Sequence, residues 1–129
     1  MAANPAILLI EDSPGEYELF RAALKETGVA VSLQTESTTE EAFRFLAKAD
    51  GATPLPSLIL LDLKLGKQHG LDLLRRLRGD ARTRHLPVIV FTTSDDPADL
   101  AACYAAGTNG YVTKPDTYGG LLHFITDLH

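Results

Sequence analysis

Three unbroken apolar runs constrain this chain more than any other feature: Ala6-Ile7-Leu8-Leu9-Ile10, Leu58-Ile59-Leu60-Leu61 and Val88-Ile89-Val90-Phe91. A strand with one face in water alternates apolar and polar residues. A strand covered on both faces reads as apolar throughout. Amphipathic segments lie between the runs. Ser13-Pro14 offers an N-cap and a first-turn proline for a helix with Tyr17, Phe20, Ala23 and Leu24 on one face, stopping near Gly28. Val31, Leu33 and Thr35 alternate with polar neighbours, which predicts a second strand. Thr38-Thr39-Glu40-Glu41 fits a capping box that opens a helix through Phe43, Leu46 and Ala49. Ala52 to Pro56 is a loop, because Pro54 and Pro56 interrupt helix and sheet alike, and Lys64 to His69 is a second loop. Gly70 leads into a helix carrying Leu71, Leu73, Leu74 and Leu77 that closes at Gly79. Asp96-Pro97 starts a fourth helix ending at Gly107, and Asn109 to Thr113 predicts a short fifth strand. Tyr118, Leu121, Leu122, Ile125 and Leu128 mark a fifth helix.

Strands alternating strictly with helices imply a parallel α/β sheet covered on both faces. Right-handed crossovers then favour a doubly wound sheet of order 2-1-3-4-5. At 129 residues the expectation is a single domain, 1–129, with no room for an effector domain beside it. Twelve Lys+Arg against seventeen Asp+Glu give a net charge of −5, so no nucleic-acid or anionic-membrane partner is expected. The lone cysteine, Cys103, excludes an internal disulfide and points to a reducing, cytoplasmic compartment. The start, MAANPAILLIED, has no basic region and only a short apolar run, unlike a signal peptide.

Doubly wound sheets bind ligands beyond the carboxyl ends of their strands, where strand order reverses. That edge collects Glu11 and Asp12 after the first strand, Asp62 after the third, Thr92 at the end of the fourth and Lys114 after the fifth. Three neighbouring carboxylates repel one another unless a cation intervenes. Mg²⁺, which takes oxygen ligands and binds through a few carboxylates, water and a phosphoryl oxygen, suits them. Zinc does not, because His69, His85, His123 and His129 are scattered and read as surface residues. A carboxylate beside Mg²⁺ can attack phosphorus, and Asp62 is the candidate nucleophile, with Lys114 and Thr92 to neutralise the transferring group.

The segments LLIEDSPGE, LILLDLKLGKQHGLDLL, PVIVFTTSDDPADL and AAGTNGYVTKP together resemble the receiver domain of two-component response regulators over essentially the whole chain. Within that family the chain is most similar to stand-alone receivers paired with bacterial phytochrome-type histidine kinases. The resemblance implies a (βα)5 flavodoxin-like/CheY-like fold, phosphorylation of Asp62 by a histidine kinase, and no classical enzyme activity. It implies Mg²⁺ held by Glu11, Asp12, Asp62 and the backbone carbonyl of Lys64, with Asp12 the more direct ligand of the acidic pair. It places Thr92 and Lys114 on the phosphoryl group, Tyr111 as the switch aromatic, and a cis peptide before Pro115. It further implies an unidentified downstream protein partner and a possible homodimer through the fourth and fifth helices.

Two positions depart from the family pattern. Gly66 stands where Pro is frequent, giving the backbone more freedom, and Lys64 stands where Asn or another polar residue is frequent. Movement of Thr92 toward a phosphoryl group would vacate space into which Tyr111 could turn, changing the surface of the fourth helix, fifth strand and fifth helix. Arg75, Arg76, Arg78, Arg82 and Arg84 read as a solvated face at the far edge of the sheet, Asp95, Asp96 and Asp99 as capping groups, and Cys103 as packing. Three other functions fit parts of the pattern. An aspartate-nucleophile phosphohydrolase commonly carries a second Asp where Lys64 stands. A nucleotide or flavin module needs a glycine-rich loop where Glu11-Asp12-Ser13-Pro14-Gly15-Glu16 stands. The third is an unphosphorylated interaction module of receiver shape.

Overall fold

A computed structural model describes residues 5–49 and 54–128. In chain order the elements are β1 (Ala6–Ile10), α1 (Pro14–Thr27), β2 (Ser32–Glu36), α2 (Thr39–Ala47), β3 (Leu58–Leu61), β4 (Lys64–Leu65), β5 (Gln68–His69), α3 (Gly70–Gly79), β6 (Val88–Thr92), α4 (Pro97–Ala105), β7 (Gly110–Thr113) and α5 (Tyr118–Leu128). Five strands form one parallel sheet of order β2-β1-β3-β6-β7, the expected doubly wound order once the small β4–β5 pair is set aside. No described helix is long and apolar enough to cross a membrane. Ala52 and Thr53, part of the expected loop, and His129 lie outside the described residues, as does the chain start before Pro5.

The apolar runs are buried on both faces, as their composition requires. Leu8, Ile10, Ile59, Leu61, Val88 and Val90 pack with Ala42, Phe43 and Leu46 of α2, Leu73, Leu74 and Leu77 of α3, and Cys103 of α4. The alternate positions Ile7, Leu9, Leu60 and Phe91 pack with Phe20, Ala23 and Leu24 of α1 and Leu121 and Ile125 of α5. This two-residue period decides what reaches the site, because it continues past the strand ends.

Local signals set the helix boundaries. Ser13 accepts from the Glu16 N–H, Thr38 from Glu41 and Asp96 from Ala98, which satisfies N–H groups that a helix start leaves without partners. Gly28, at φ 72°, ends α1 in the left-handed conformation that glycine adopts without strain. Two expectations of local structure need correction. Lys64 to His69 is a hairpin rather than a loop, with Lys64 opposite His69 and Leu65 opposite Gln68. Gly66, at φ 62°, is the first of its two turn residues, where a hairpin of this kind requires positive φ. Asn109 lies outside β7; its Oδ1 instead accepts from the Val88 N–H at 2.8 Å and from Arg78 at 2.8 Å.

Arg78 departs from the solvated-face expectation. Its guanidinium donates to the carbonyls of Gly107, Arg84 and Leu86, so it ties the end of α3 to the segments entering β6 and β7. The fixed fork of donors in arginine suits three carbonyls converging on one point.

The start of α3 lies directly on the residue that follows β3. A Cβ at Gly70 would overlap the carbonyl oxygen of Asp62 and lie 2.9 Å from the Leu63 Cα, both backbone atoms that cannot swing aside. Gly70→Ala is therefore expected to lose about 3 kcal/mol of unfolding free energy. A urea midpoint equal to that of the unsubstituted protein would contradict this packing.

Candidate functional site

Parallel pairing sets Ile10 beside Leu61. The next residues, Glu11 and Asp62, therefore leave neighbouring strands side by side. Both follow the Leu9 and Leu60 positions by two, and Lys114 follows Val112 by two, so all three point to the α1/α5 side of the sheet. Lys114 Nζ lies 2.8 Å from Glu11 Oε2, 3.0 Å from Asp62 Oδ2 and 2.7 Å from Glu16 Oε2. An ammonium has three donors, and each finds a carboxylate. The side chains of Lys114, Glu11 and Asp62 are 12%, 3% and 8% exposed, so solvent screens these two pairs little, whereas Glu16 is 46% exposed.

Asp12 completes the acidic group. Carboxylate oxygens of Glu11, Asp12 and Asp62 all lie within 4.8 Å of one another, with Asp12 exposed at the rim. Asp62 Oδ1 accepts from the Lys64 N–H at 3.2 Å, and Glu11 Oε1 accepts from the Ser13 N–H at 3.1 Å. These contacts fix both carboxylates from the backbone side and leave other oxygens turned to the cluster.

Burial and the neighbouring Asp62 push the Glu11 carboxyl up from 4.5 to about 8. Burial also acts to raise Asp62, but hydrogen bonds from Glu11 and Lys114 and the lysine charge outweigh it and hold Asp62 below its usual value. Burial acts to lower Lys114, and its three carboxylates outweigh that, keeping it above the usual lysine range. Without metal, the acidic group thus keeps a proton on Glu11. The folded protein holds that proton between pH 4.5 and about 8, where the unfolded chain has released it. By linkage, Glu11 costs the metal-free fold increasing stability across this window and a constant amount above it. Glu11→Gln is expected to gain on the unsubstituted protein over the same interval, by on the order of 2 kcal/mol in denaturant midpoints taken with chelator. A pH-independent gap would contradict the assignment.

Thr92 and Tyr111 sit on the other side of the sheet. Thr92 follows Val90 by two and is fully buried; Tyr111 packs against the α2–α4 core. Thr92 Oγ1 accepts from the Ser94 N–H at 3.3 Å, and the half-buried Tyr111 hydroxyl donates to the Ser94 carbonyl at 2.8 Å. Ser94 Oγ in turn donates to Asp99 on α4 at 2.5 Å, which gives Asp99 a role beyond the expected capping. Of the residues expected at the edge, the structure therefore brings Glu11, Asp12, Asp62 and Lys114 into one group and holds Thr92 and Tyr111 in a second network. All described peptide bonds are trans, Lys114–Pro115 included, so the expected cis bond is not formed. Trans is the lower-energy form of an X–Pro bond by about 0.5–1 kcal/mol.

Three contributors escaped the sequence reading. Glu16 matches a capping box with Ser13, which gives it a sufficient local explanation. Gln68 Oε1 accepts from the Thr39 N–H at the start of α2, and His69 Nδ1 accepts from the Leu71 N–H at the start of α3. The hairpin after Asp62 thereby caps two helices at once.

The chain belongs to the response regulator receiver domain family, whose sequence pattern matches residues 7–126. It is 34% identical over 116 residues to the response regulator Rcp1 of Synechocystis sp. (strain ATCC 27184 / PCC 6803 / Kazusa), covering 87% of this chain and 79% of that one. The solved Mn(2+)-bound form of Rcp1 superposes with a TM-score of 0.82 at 31% identity, covering 96% of this chain and 91% of that one. The phosphorylated cyanobacterial phytochrome response regulator RcpA gives a TM-score of 0.85 at 29% identity, covering 98% and 91% of the two chains. The bacteriophytochrome response regulator AtBRR gives 0.77 at 33% identity, covering 98% and 94%.

Proposed function

We propose that this protein is a phosphoryl-accepting switch in a two-component relay, with Asp62 as the acceptor. An oxygen of the Asp62 carboxylate attacks phosphorus of a phosphohistidine on a partner histidine kinase. The new O–P bond forms as the N–P bond breaks, and the leaving imidazole keeps the electron pair and takes up a proton. The observation that carries this function is the Lys114 ammonium, held 3.0 Å from Asp62 at the centre of a buried acidic group. Two relatives described as phytochrome or bacteriophytochrome response regulators support a phytochrome-type kinase as the partner.

The donor set of the acidic group fits a hard divalent cation: three carboxylates within 4.8 Å, with no His or Cys in the group. Glu11, Asp12, Asp62 and the Lys64 carbonyl would hold Mg²⁺, which when bound neutralises phosphoryl oxygens and the carboxylates themselves. Lys114 supplies the fixed positive charge on the α5 side. Thr92 supplies a hydroxyl from the α4 side once it gives up the Ser94 N–H. Ser94 also holds the Tyr111 hydroxyl, so a shift of Thr92 alters the support of Tyr111 and, through Asp99, of α4. The surface of α4, β7 and α5, where Leu100, Tyr104 and Tyr118 are exposed, is then the face read by a downstream protein or by a second copy of this chain. The chain performs its own phosphorylation and dephosphorylation and no other catalysis, in the cytoplasm.

Acetyl phosphate with Mg²⁺ tests this. The expected product is one phosphoryl adduct per chain by intact mass, released by hydroxylamine as an acyl phosphate and absent when metal is chelated. Sustained turnover of phosphoesters without an adduct would instead mark a phosphohydrolase.

A further inference from the structure

Glu16 is the carboxylate on Lys114 that the acidic group does not use. It lies outside the set of Glu11, Asp12 and Asp62, yet it makes the shortest of the three contacts, 2.7 Å. Its local sequence explains its presence but not its direction. In a capping box the carboxylate of Glu16 would return to the Ser13 N–H. Here that N–H donates to Glu11 Oε1 at 3.1 Å, while Ser13 Oγ accepts the Glu16 N–H. The Glu16 side chain is thereby free to reach across from α1 to the segment after β7.

We propose that Glu16 is a positioning residue that occupies one donor of Lys114 and so restrains phosphoryl transfer from small, highly charged donors. Three donors meet three carboxylates, so a phosphoryl oxygen can reach the ammonium only by displacing one of them. Displacing Asp62 releases the nucleophile, and displacing Glu11 strands a deeply buried polar group. Displacing Glu16, which is half in water, costs least. The Glu16 carboxylate also carries a negative charge no farther from Asp62 than the two bonds through Nζ laid end to end. Its repulsion of an incoming donor scales with the charge of that donor.

This rests on Asp62 as acceptor, and the chemistry is the same for both probes. With acetyl phosphate the Asp62 O–P bond forms as the P–O bond to acetate breaks, and acetate leaves with the electron pair. With phosphoramidate the P–N bond breaks and ammonia leaves. The first donor is a dianion near neutral pH and the second carries one net negative charge. At saturating Mg²⁺ and low salt, Glu16→Gln is expected to speed acetyl phosphate roughly three- to tenfold, and phosphoramidate by about the square root of that factor. The ratio of the two rates therefore rises roughly two- to threefold and falls back toward the unsubstituted ratio at high salt.

Glu16→Ala is expected to give the same ratio as Glu16→Gln, because both remove the charge; a role confined to helix capping would not move it. In the metal-free protein, the Lys114 side-chain NMR resonances are expected to shift in Glu16→Gln. An unchanged rate ratio, a change insensitive to salt, or unmoved Lys114 resonances would overturn the proposal. Those failures leave the adduct on the unsubstituted protein intact, whereas absence of any adduct overturns the acceptor assignment as well.

Discussion

Asp62→Asn is expected to abolish the phosphoryl adduct with every donor while leaving the fold in place. Asparagine offers one carbonyl oxygen, which can still accept from the Lys64 N–H as Asp62 Oδ1 does at 3.2 Å, while its amide nitrogen replaces the Oδ2 that accepts from Lys114 at 3.0 Å, so that pair is lost. It has no anionic oxygen to attack phosphorus. Stability is expected to change by no more than about 1 kcal/mol, since the loss of one Lys114 pair is offset by removal of the Asp62 charge that helps hold Glu11 protonated. Intact mass after acetyl phosphate treatment, with thermal unfolding in parallel, separates the two effects. A labile adduct that persists in the variant would move the acceptor elsewhere and remove the proposed function.

Lys114→Ala carries the largest expected stability loss, about 3–5 kcal/mol at neutral pH. It leaves Glu11 and Asp62, both nearly inaccessible, without their cation. Glu16, half exposed, adds little. Lys114 is raised above its ordinary value in the folded protein, so its stabilisation is fully present at neutral pH and is lost only as pH climbs beyond the ordinary lysine range. In the variant the stranded carboxylates respond by holding protons, which moderates the loss in acid. The deficit is therefore expected to be smaller at pH 5 than at pH 8. Saturating Mg²⁺ is expected to recover part of it, because a divalent cation replaces the missing charge. Urea unfolding at both pH values, with Mg²⁺ or with chelator, measures this. Equal stabilisation of both proteins by Mg²⁺ would show that Lys114 is not what holds the metal-free cluster together.

What the sequence made legible follows from which interactions are local. The runs Leu58–Leu61 and Val88–Phe91 announce buried parallel strands because coverage on both faces leaves no polar position. Ser13, Thr38 and Asp96 announce helix starts because a cap acts within three residues. The convergence of Glu11, Asp62 and Lys114 was legible once strand order was, because parallel register aligns the strand ends. The Glu16 contact with Lys114 was not, since it links residues 98 positions apart and hides behind a local capping pattern. The Arg78 fork and the Gln68 cap on α2 are equally non-local, joining segments 29 residues apart. The β4–β5 hairpin is local and was missed for another reason: two-residue strands carry no periodicity to detect, and only Gly66 at a turn position hints at them.

The alternation of side chains along the sheet has a consequence for how a chemical event becomes a signal. Asp62 and Lys114 stand on one side of a wall one strand thick; Thr92 and Tyr111 stand on the other. Among the described residues no side-chain hydrogen bond joins the two sides; what joins them is backbone, the Lys114 N–H donating to the Thr92 carbonyl at 2.7 Å. On the proposed acceptor role, a group added to Asp62 at the strand end would stand within the reach of both sides. The added atoms would then themselves be the missing side-chain link of the circuit, and hydrolysis would break the connection by removing the wire.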